Sequence, residues 1–515
     1  MKKTFIFCIL IISMLLIGVN TVEAVDYSIN GSDPELSGLT IEWTKNIGSG
    51  SLSSASPALS PDNETIYFAN GVERKLLAVN TSDGSEKWFF TLGTTTNSAI
   101  QSSVSVDNSG VVYVPTGTGG TGNIAKVYAV NPTGSQKWVH DIVAGANIQY
   151  MTPVIAKSGN IVVGNRGTGG SIRILDSTNG TLIASNDSGT AVEAENIVAT
   201  QDDYIYTMSR SASNGVFSYN IGIPSSFYNT ALQFMPSGTV YTVGSMAVDD
   251  DGNVYGASGT GSVFSIKNNG TSIDKNWEYA VPSKIEQSGV VIGEDGSVYV
   301  NGHQNNRIFA LTAQGVLKWT FETESSASST PAIDNNGWLH FGDDAGYYYV
   351  IKDNETSAEL LHKKNLGNGI ITTSRIWSSP LIASDGAVYF TTTAKEAGNQ
   401  DDNVYMFKIT IPNVTAPANS AWAMRNGNAQ RTGLQKENTP TSIKDISNDK
   451  VFDVFTKENL LEIETSQTGK LMVMDIAGSI IFQQAVDAGS VTLIPINNKS
   501  IYVVKLNDKV KKIIN

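Results

Sequence analysis

A chain of 515 residues with 16 % charged side chains, 48 glycines and a formal net charge of −13 is too rich in turn-forming residues for a helical bundle. It is also too acidic to hold a phosphate backbone, which excludes nucleic acid as a partner. Its single cysteine, Cys8, lies in an N-terminal apolar run, so neither a disulfide nor a lipid-attached cysteine is expected in the mature chain.

Residues 1–24 read as a secretory signal: Lys2 and Lys3, an apolar core from Phe5 to Val19, then the small-residue site Val22-Glu23-Ala24. The core is short for a membrane span, so the mature form is expected to have no transmembrane anchor. Leu39 to Ile47 alternates as a strand and carries Trp43. From Ser56 a unit begins that recurs as far as Ile411. It runs through a small residue and often Pro, a short apolar strand, an Asp/Asn-Gly turn, an alternating strand, a Gly-rich loop and a third strand. Equivalent positions are Tyr67, Tyr113, Val162, Tyr206, Tyr255, Tyr299, His340 and Tyr389. A recurrence about every 46 residues with several short strands per unit predicts an all-β, eight-bladed β-propeller of four-stranded antiparallel blades.

Fourth strands follow the third at Trp88, Trp138, Trp277 and Trp319. The last unit, Ser379 to Ile411, has none after it, and the strand of Trp43 has no unit of its own. That strand is therefore expected to pair with Asn403 to Ile411, closing the ring and removing an open sheet edge. Ala78-Val-Asn80, Gly84 and Trp88, with Ala129-Val-Asn131, Gly134 and Trp138 and with Ala310-Leu-Thr312, Gly315 and Trp319, resemble the tryptophan-docking repeat of the pyrroloquinoline-quinone-like (PQQ-like) propellers. The resemblance implies that each Trp packs between neighbouring blades beneath a turn glycine. The third and seventh units carry Ala184 and His362 near that position, and the fourth has no clear match. Ser420 to Gly433 resembles a segment that flanks such propellers and is expected to pack against the outside of the ring. The propeller is assigned to residues 25–435.

Residues 436–515 follow another pattern, a series of short strands about ten residues apart that predicts a small C-terminal β-sandwich. Met472 to Gly478, Ile501 to Lys505 and the terminal Lys511 to Asn515 resemble the C-terminal sorting domain of type IX secretion cargo. That resemblance implies type IX secretion machinery as a partner, and a final location outside the cell or on its surface.

Chemistry is harder to place. His140, His303, His340 and His362 show no close ligand spacing, so no metal site is expected, and His340 reads as core because other units carry Tyr there. Asp249-Asp250-Asp251-Gly252 falls on a hairpin turn and reads as that turn rather than a calcium site. The glycine-rich stretches 117–122 and 164–170 have no following helix and read as loops. In a propeller the connections from outer to next inner strand, and from second to third strand, gather on one face. The first set ends in Gln101, Tyr150, Glu195, Gln287 and Trp377; the second contributes Arg166, Arg210, His303, Arg307 and Lys395. A sugar or carboxylate ligand needs such groups.

Two classes of function follow. One is a secreted or surface-held, non-catalytic binding scaffold without a cofactor, taking a glycan, peptide or protein ligand on that face. The other is a PQQ-type quinoprotein dehydrogenase, or a polysaccharide-active enzyme, working in the funnel. The resemblance implies for a quinoprotein a catalytic Asp beside calcium and, in many, a vicinal disulfide. The mature chain has no cysteine and no evident calcium cluster, which favours the scaffold. An outer-membrane assembly factor shares the eight-bladed form but would be expected to carry a lipid-attachment cysteine.

Overall fold

A computed structural model describes residues 34–437 except 50–54, 94–102, 118–123, 145, 149–150, 168–170, 187–193, 210–214, 224–231, 238–243, 260, 283, 286–287, 367–370 and 397–401, and residues 452–514 except 458–459, 476–479, 496–500 and 508. The expected signal sequence and most of the glycine stretch 117–122 fall outside these residues; of the stretch 164–170, expected as a loop, residues 164–167 instead end the strand Ile161–Gly167 and 168–170 fall outside. By internal contacts the chain divides into two compact units, Met1–Lys436 and Glu437–Asn515.

The first unit is the ring of eight antiparallel blades. Blade 1 shows the plan with strands Ala58–Leu59, Thr65–Asn70, Lys75–Asn80 and Glu86–Thr91. All of Thr65–Asn70 is buried, because neighbouring blades cover both faces of an interior strand, whereas Glu86–Thr91 at the rim alternates between exposed and half-buried. The repeated Asp at the turn and Tyr on the second strand have one physical cause. Asp107 and Asp249 each accept backbone N–H groups two and four residues on, and the hydroxyls of Tyr113 and Tyr255 donate to them at 2.8 and 2.9 Å. The triple-Asp stretch is thus a turn. In blade 7 the same pairing is made by His340 Nε2 and Asp334 at 3.0 Å, with Tyr348 on the other ring nitrogen, all fully buried.

The ring closes as the counting of strands requires. Thr40–Ser49 pairs antiparallel with Asp402–Thr410, Trp43 opposite Lys408. Nearer the axis, the hydroxyl at the start of one inner strand accepts the N–H at the start of the blade before it. Gly289 donates to Thr330, Thr330 to Ser379, Ser379 to Ser56 and Ser56 to Ser103, at 2.7–3.0 Å. The Ser379–Ser56 bond joins blade 8 to blade 1.

Tryptophans fasten the blades to one another. The indole N–H of Trp43, Trp88, Trp138 and Trp277 donates to the carbonyl of Thr81, Pro132, Ser177 and Ala313 in the next blade at 2.8–3.0 Å. Each ring also lies about 6 Å from its own blade's second-strand Tyr. At Gly134 and Gly180, φ is +84° and +75°, and a Cβ would sit 2.8 and 2.7 Å from Trp88 and Trp138; no other residue type leaves the indole room. Trp319 donates to the Asp353 carboxylate instead, at 2.8 Å. In blade 4, Phe234 packs 5.5 Å from Phe264.

His362 stands opposite Val350, at the register position that Trp319 holds opposite Ala310. Its docking bond runs the other way: Nδ1 accepts the N–H of Leu36, on the segment leading into the closing strand, at 3.0 Å. Burial pushes this imidazole down to about 4.

Residues 412–435 do not pack on the outside of the ring. They run along the axis-facing edges of the inner strands, where N–H groups would otherwise lack acceptors. Leu59, Val106, Ile155, Ala199, Ile292 and Ile333 donate to Ala429, Gln430, Thr432, Gly433, Trp422 and Ala423 at 2.8–2.9 Å. Trp422 and Arg431 are fully buried. The Arg431 guanidinium donates to the carbonyls of Pro57, Arg425 and Ser379 at 2.8–2.9 Å, tying blades 1 and 8 to this strap. Because these contacts fall where inner strands end, the strap lies across the face opposite the expected ligand-bearing loops.

The second unit holds a three-stranded sheet (Phe452–Lys457, Leu460–Thr465, Val491–Pro495) and a four-stranded sheet (Ile480–Val486, Gly469–Asp475, Ile501–Leu506, Lys509–Ile514). Leu461, Ile463, Leu471, Val473, Ile494, Val504 and Leu506 form their shared core, which makes the unit a small β-sandwich.

Candidate ligand-binding site

Of the residues expected on the loop face, Gln101, Tyr150, Arg210 and Gln287 lie outside the described residues. Arg166, Glu195 and Lys395 fall on the strands Ile161–Gly167, Ala194–Ala199 and Val388–Glu396. Arg307 opens the third strand of blade 6, opposite Gly302, at the base of the turn that carries His303. The structure brings His303 and Trp377 together through residues the sequence did not single out: Ser328, Asp344 and Arg375.

These side chains come from three successive blades. His303 lies in the turn between the second and third strands of blade 6, and Ser328 in the connection from blade 6 to blade 7. Asp344 sits in the turn between Trp338–Gly342 and Tyr347–Asp353 of blade 7. Arg375 ends the strand Ile371–Arg375, which pairs with the second strand of blade 8 through a bulge between Thr373 and Arg375; Trp377 follows.

Asp343 fixes the turn from below. Fully buried, it accepts the hydroxyl of Tyr349 and the N–H groups of Ala345 and Tyr347 at 2.9–3.1 Å, while its carbonyl accepts the N–H of Ile376 in the blade 8 connection. Burial raises its carboxyl to about 6, against the pull of those donors.

Asp344 Oδ1 accepts the Ser328 hydroxyl at 2.9 Å and the Trp377 indole N–H at 2.5 Å. Burial holds this carboxyl above the usual carboxylate range, opposed by those two donors and by the charges of His303 and Arg375. The Arg375 guanidinium lies over the Trp377 ring, 4.6 Å from its centre. Ser328, almost fully buried, has His303 Nδ1 at 3.0 Å.

This order of contacts bears on chemistry. In an acyl-transfer triad the imidazole stands between hydroxyl and carboxylate and takes the hydroxyl proton. Here the hydroxyl stands between imidazole and carboxylate, with its proton on the bond to Asp344, so Ser328 is an orienting group and not a primed nucleophile. Among the described residues no group of three or more His, Cys, Asp or Glu side chains is placed to hold a metal ion. The other histidines serve the fold: His340 and His362 as above, and His140 through a 2.9 Å contact with the Gly180 carbonyl.

The fold is that of a β-propeller, with polar side chains converging on one face. The family model described as outer membrane protein assembly factor BamB matches residues 35–222, which hold the closing strand, blades 1 to 3 and the first three strands of blade 4. No curated protein matches the chain. The solved structure of a europium-containing methanol dehydrogenase superposes with a TM-score of 0.56 at 12 % identity, covering 72 % of this chain and 93 % of that one. The Dos1 propeller superposes with a TM-score of 0.50 at 11 % identity, covering 73 % and 96 %. Likeness at such identities concerns the fold alone.

Proposed function

We propose that this chain is a non-catalytic binding propeller that works outside the cytoplasm and takes a polar glycan, peptide or protein ligand on its loop face. The observation that carries the reading is the group formed by His303, Ser328, Asp344, Arg375 and Trp377. It gathers a carboxylate, a guanidinium and an indole on one side of the ring, with no hydroxyl activated for attack. The family match to an assembly factor supports a scaffold role. The dehydrogenase likeness supports none of that enzyme's chemistry for this chain, since it rests on 12 % identity.

The C-terminal sandwich is an address read by type IX secretion machinery in this proposal, and the N-terminal 24 residues are a cleaved export signal. Binding of the purified protein to a panel of glycans, peptides and quinones, with calcium varied, tests the reading. Capture of a glycan or peptide without calcium, and no quinone absorption band, is the expected result. A stable quinone complex with dye-linked oxidation of alcohols or sugars would replace the scaffold with the dehydrogenase.

A further inference from the structure

The cation and the anion beside Trp377 are not paired with each other. Among the described residues Arg375 and Asp344 form no ion pair, and the N–H groups of Arg375 find no hydrogen-bond acceptor, its buried Nε included. Asp344 uses Oδ1 for Ser328 and Trp377, and Oδ2 has no donor. Two charged groups, each held in place through one indole, therefore keep open hydrogen-bonding capacity side by side.

We propose that Asp344 and Arg375, set at the edge and over the face of Trp377, bind a vicinal diol of a neutral sugar, one hydroxyl donating to Asp344 Oδ2 and the next accepting from Arg375. This rests on the binding reading above and names its ligand. The local charges cancel, so a ligand of net charge gains little, whereas a hydroxyl group is both donor and acceptor and a neighbouring pair supplies one of each. Asp344 meets the indole at its N–H edge and Arg375 at its face, 2.5 Å from Nε1 and 4.6 Å from the ring centre, so neighbouring hydroxyls of one ring can reach both at hydrogen-bond length. A peptide that adds to a sheet edge is recognised by a row of main-chain groups, whereas this site presents side chains converging on one point. The acidity of the whole chain, −13, also disfavours uronic acids and sulfated sugars.

The test uses the full chain on an array of neutral oligosaccharides, acidic oligosaccharides and short peptides, with wild type, Asp344→Asn and Arg375→Ala side by side. Asn at 344 keeps an acceptor for Ser328 and Trp377 and replaces Oδ2 with a donor, so it removes the sugar contact and spares the scaffold. Neutral glycans with free adjacent hydroxyls should bind. Either substitution, or O-methylation of either hydroxyl, should weaken them at least tenfold with the thermal midpoint unmoved. Neutral glycans that bind equally well to both variants would overturn the inference and leave the broader binding reading standing. Capture of acidic glycans or peptides alone would overturn the ligand class, and no capture of any kind would overturn both.

Discussion

At the strap end of the ring, backbone carbonyls of residues 412–435 meet the N–H groups of inner strands from blades 1, 2, 3, 4, 6 and 7, and Arg431 binds carbonyl oxygens in complete burial. At the loop end the polar groups are side chains from separate connections, and Arg375 and Asp344 retain open valences among the described residues. The contrast separates two tasks. Stability is concentrated where main-chain groups satisfy one another out of water, and recognition where side chains are held by a rigid frame yet left incomplete. Substitutions at the two ends should therefore fail in different ways.

The largest effect is expected at Arg431→Ala. It leaves the carbonyls of Pro57, Ser379 and Arg425 without this donor in a dry interior, at a cost of about 4 kcal/mol or more. Chemical denaturation should show an early, broadened transition. A variant as stable as wild type would mean that the strap is an accessory and that the contrast between the ends is false. Next comes Trp138→Ala, which empties the space beneath Gly180 and removes the bond to Ser177. Its cost is about 3 kcal/mol. The same substitution at Trp377, on the loop face, should cost less than half as much, because that ring is only partly buried.

Part of this contrast was legible in the sequence. The blade period, the tryptophan docking and the closure through Trp43 all follow from repetition, since equivalent residues recur with equivalent partners. The strap does not repeat. It binds through main-chain carbonyls that any residue supplies, so Ser420 to Gly433 gave no sign that it turns inward. His303 and Trp377 could be assigned to a face by topology alone. Their partners Ser328, Asp344 and Arg375 come from other connections, and no spacing links them. One clue was available: the loop of blade 7 reads Gly-Asp-Asp-Ala-Gly, two carboxylates within the glycine-rich turn.

A smaller effect concerns the joint between blades 7 and 8, where His362 replaces Trp. The unfolded imidazole takes up its proton near 6.5 and the folded one only near 4, so the unfolded chain binds the extra proton between those values. The fold therefore loses stability as pH falls through that window, by at most about 3 kcal/mol. Asp343, raised to about 6 by burial, acts in the opposite sense, gaining a proton on folding as pH falls. The difference between wild type and His362→Asn isolates the histidine, because the Asn amide oxygen can accept the Leu36 N–H in place of Nδ1. Wild type should lose stability relative to that variant as pH falls below 6; a difference independent of pH would show that the joint does not depend on a neutral imidazole.

The smallest effect on the ring is expected from removing residues 437–515. Gln435 belongs to the strap: its N–H donates to Ala199, its side chain accepts from the Gln201 N–H and donates to the Asp249 carbonyl. Contacts then divide after Lys436. The sandwich has its own core, and blade 8 is completed from the N-terminus, so no strand of the ring is lost with it. A chain ending at Lys436 should unfold at the same denaturant midpoint as the full protein, whereas one ending at Met424, which loses Arg431, should not. If residues 437–515 are an address, the shorter chain stays in the periplasm of a host with type IX secretion, and the same residues fused to an unrelated exported reporter carry it across the outer membrane. Normal release of the shortened protein, or retention of the reporter, would assign the sandwich to adhesion and leave the stability argument untouched.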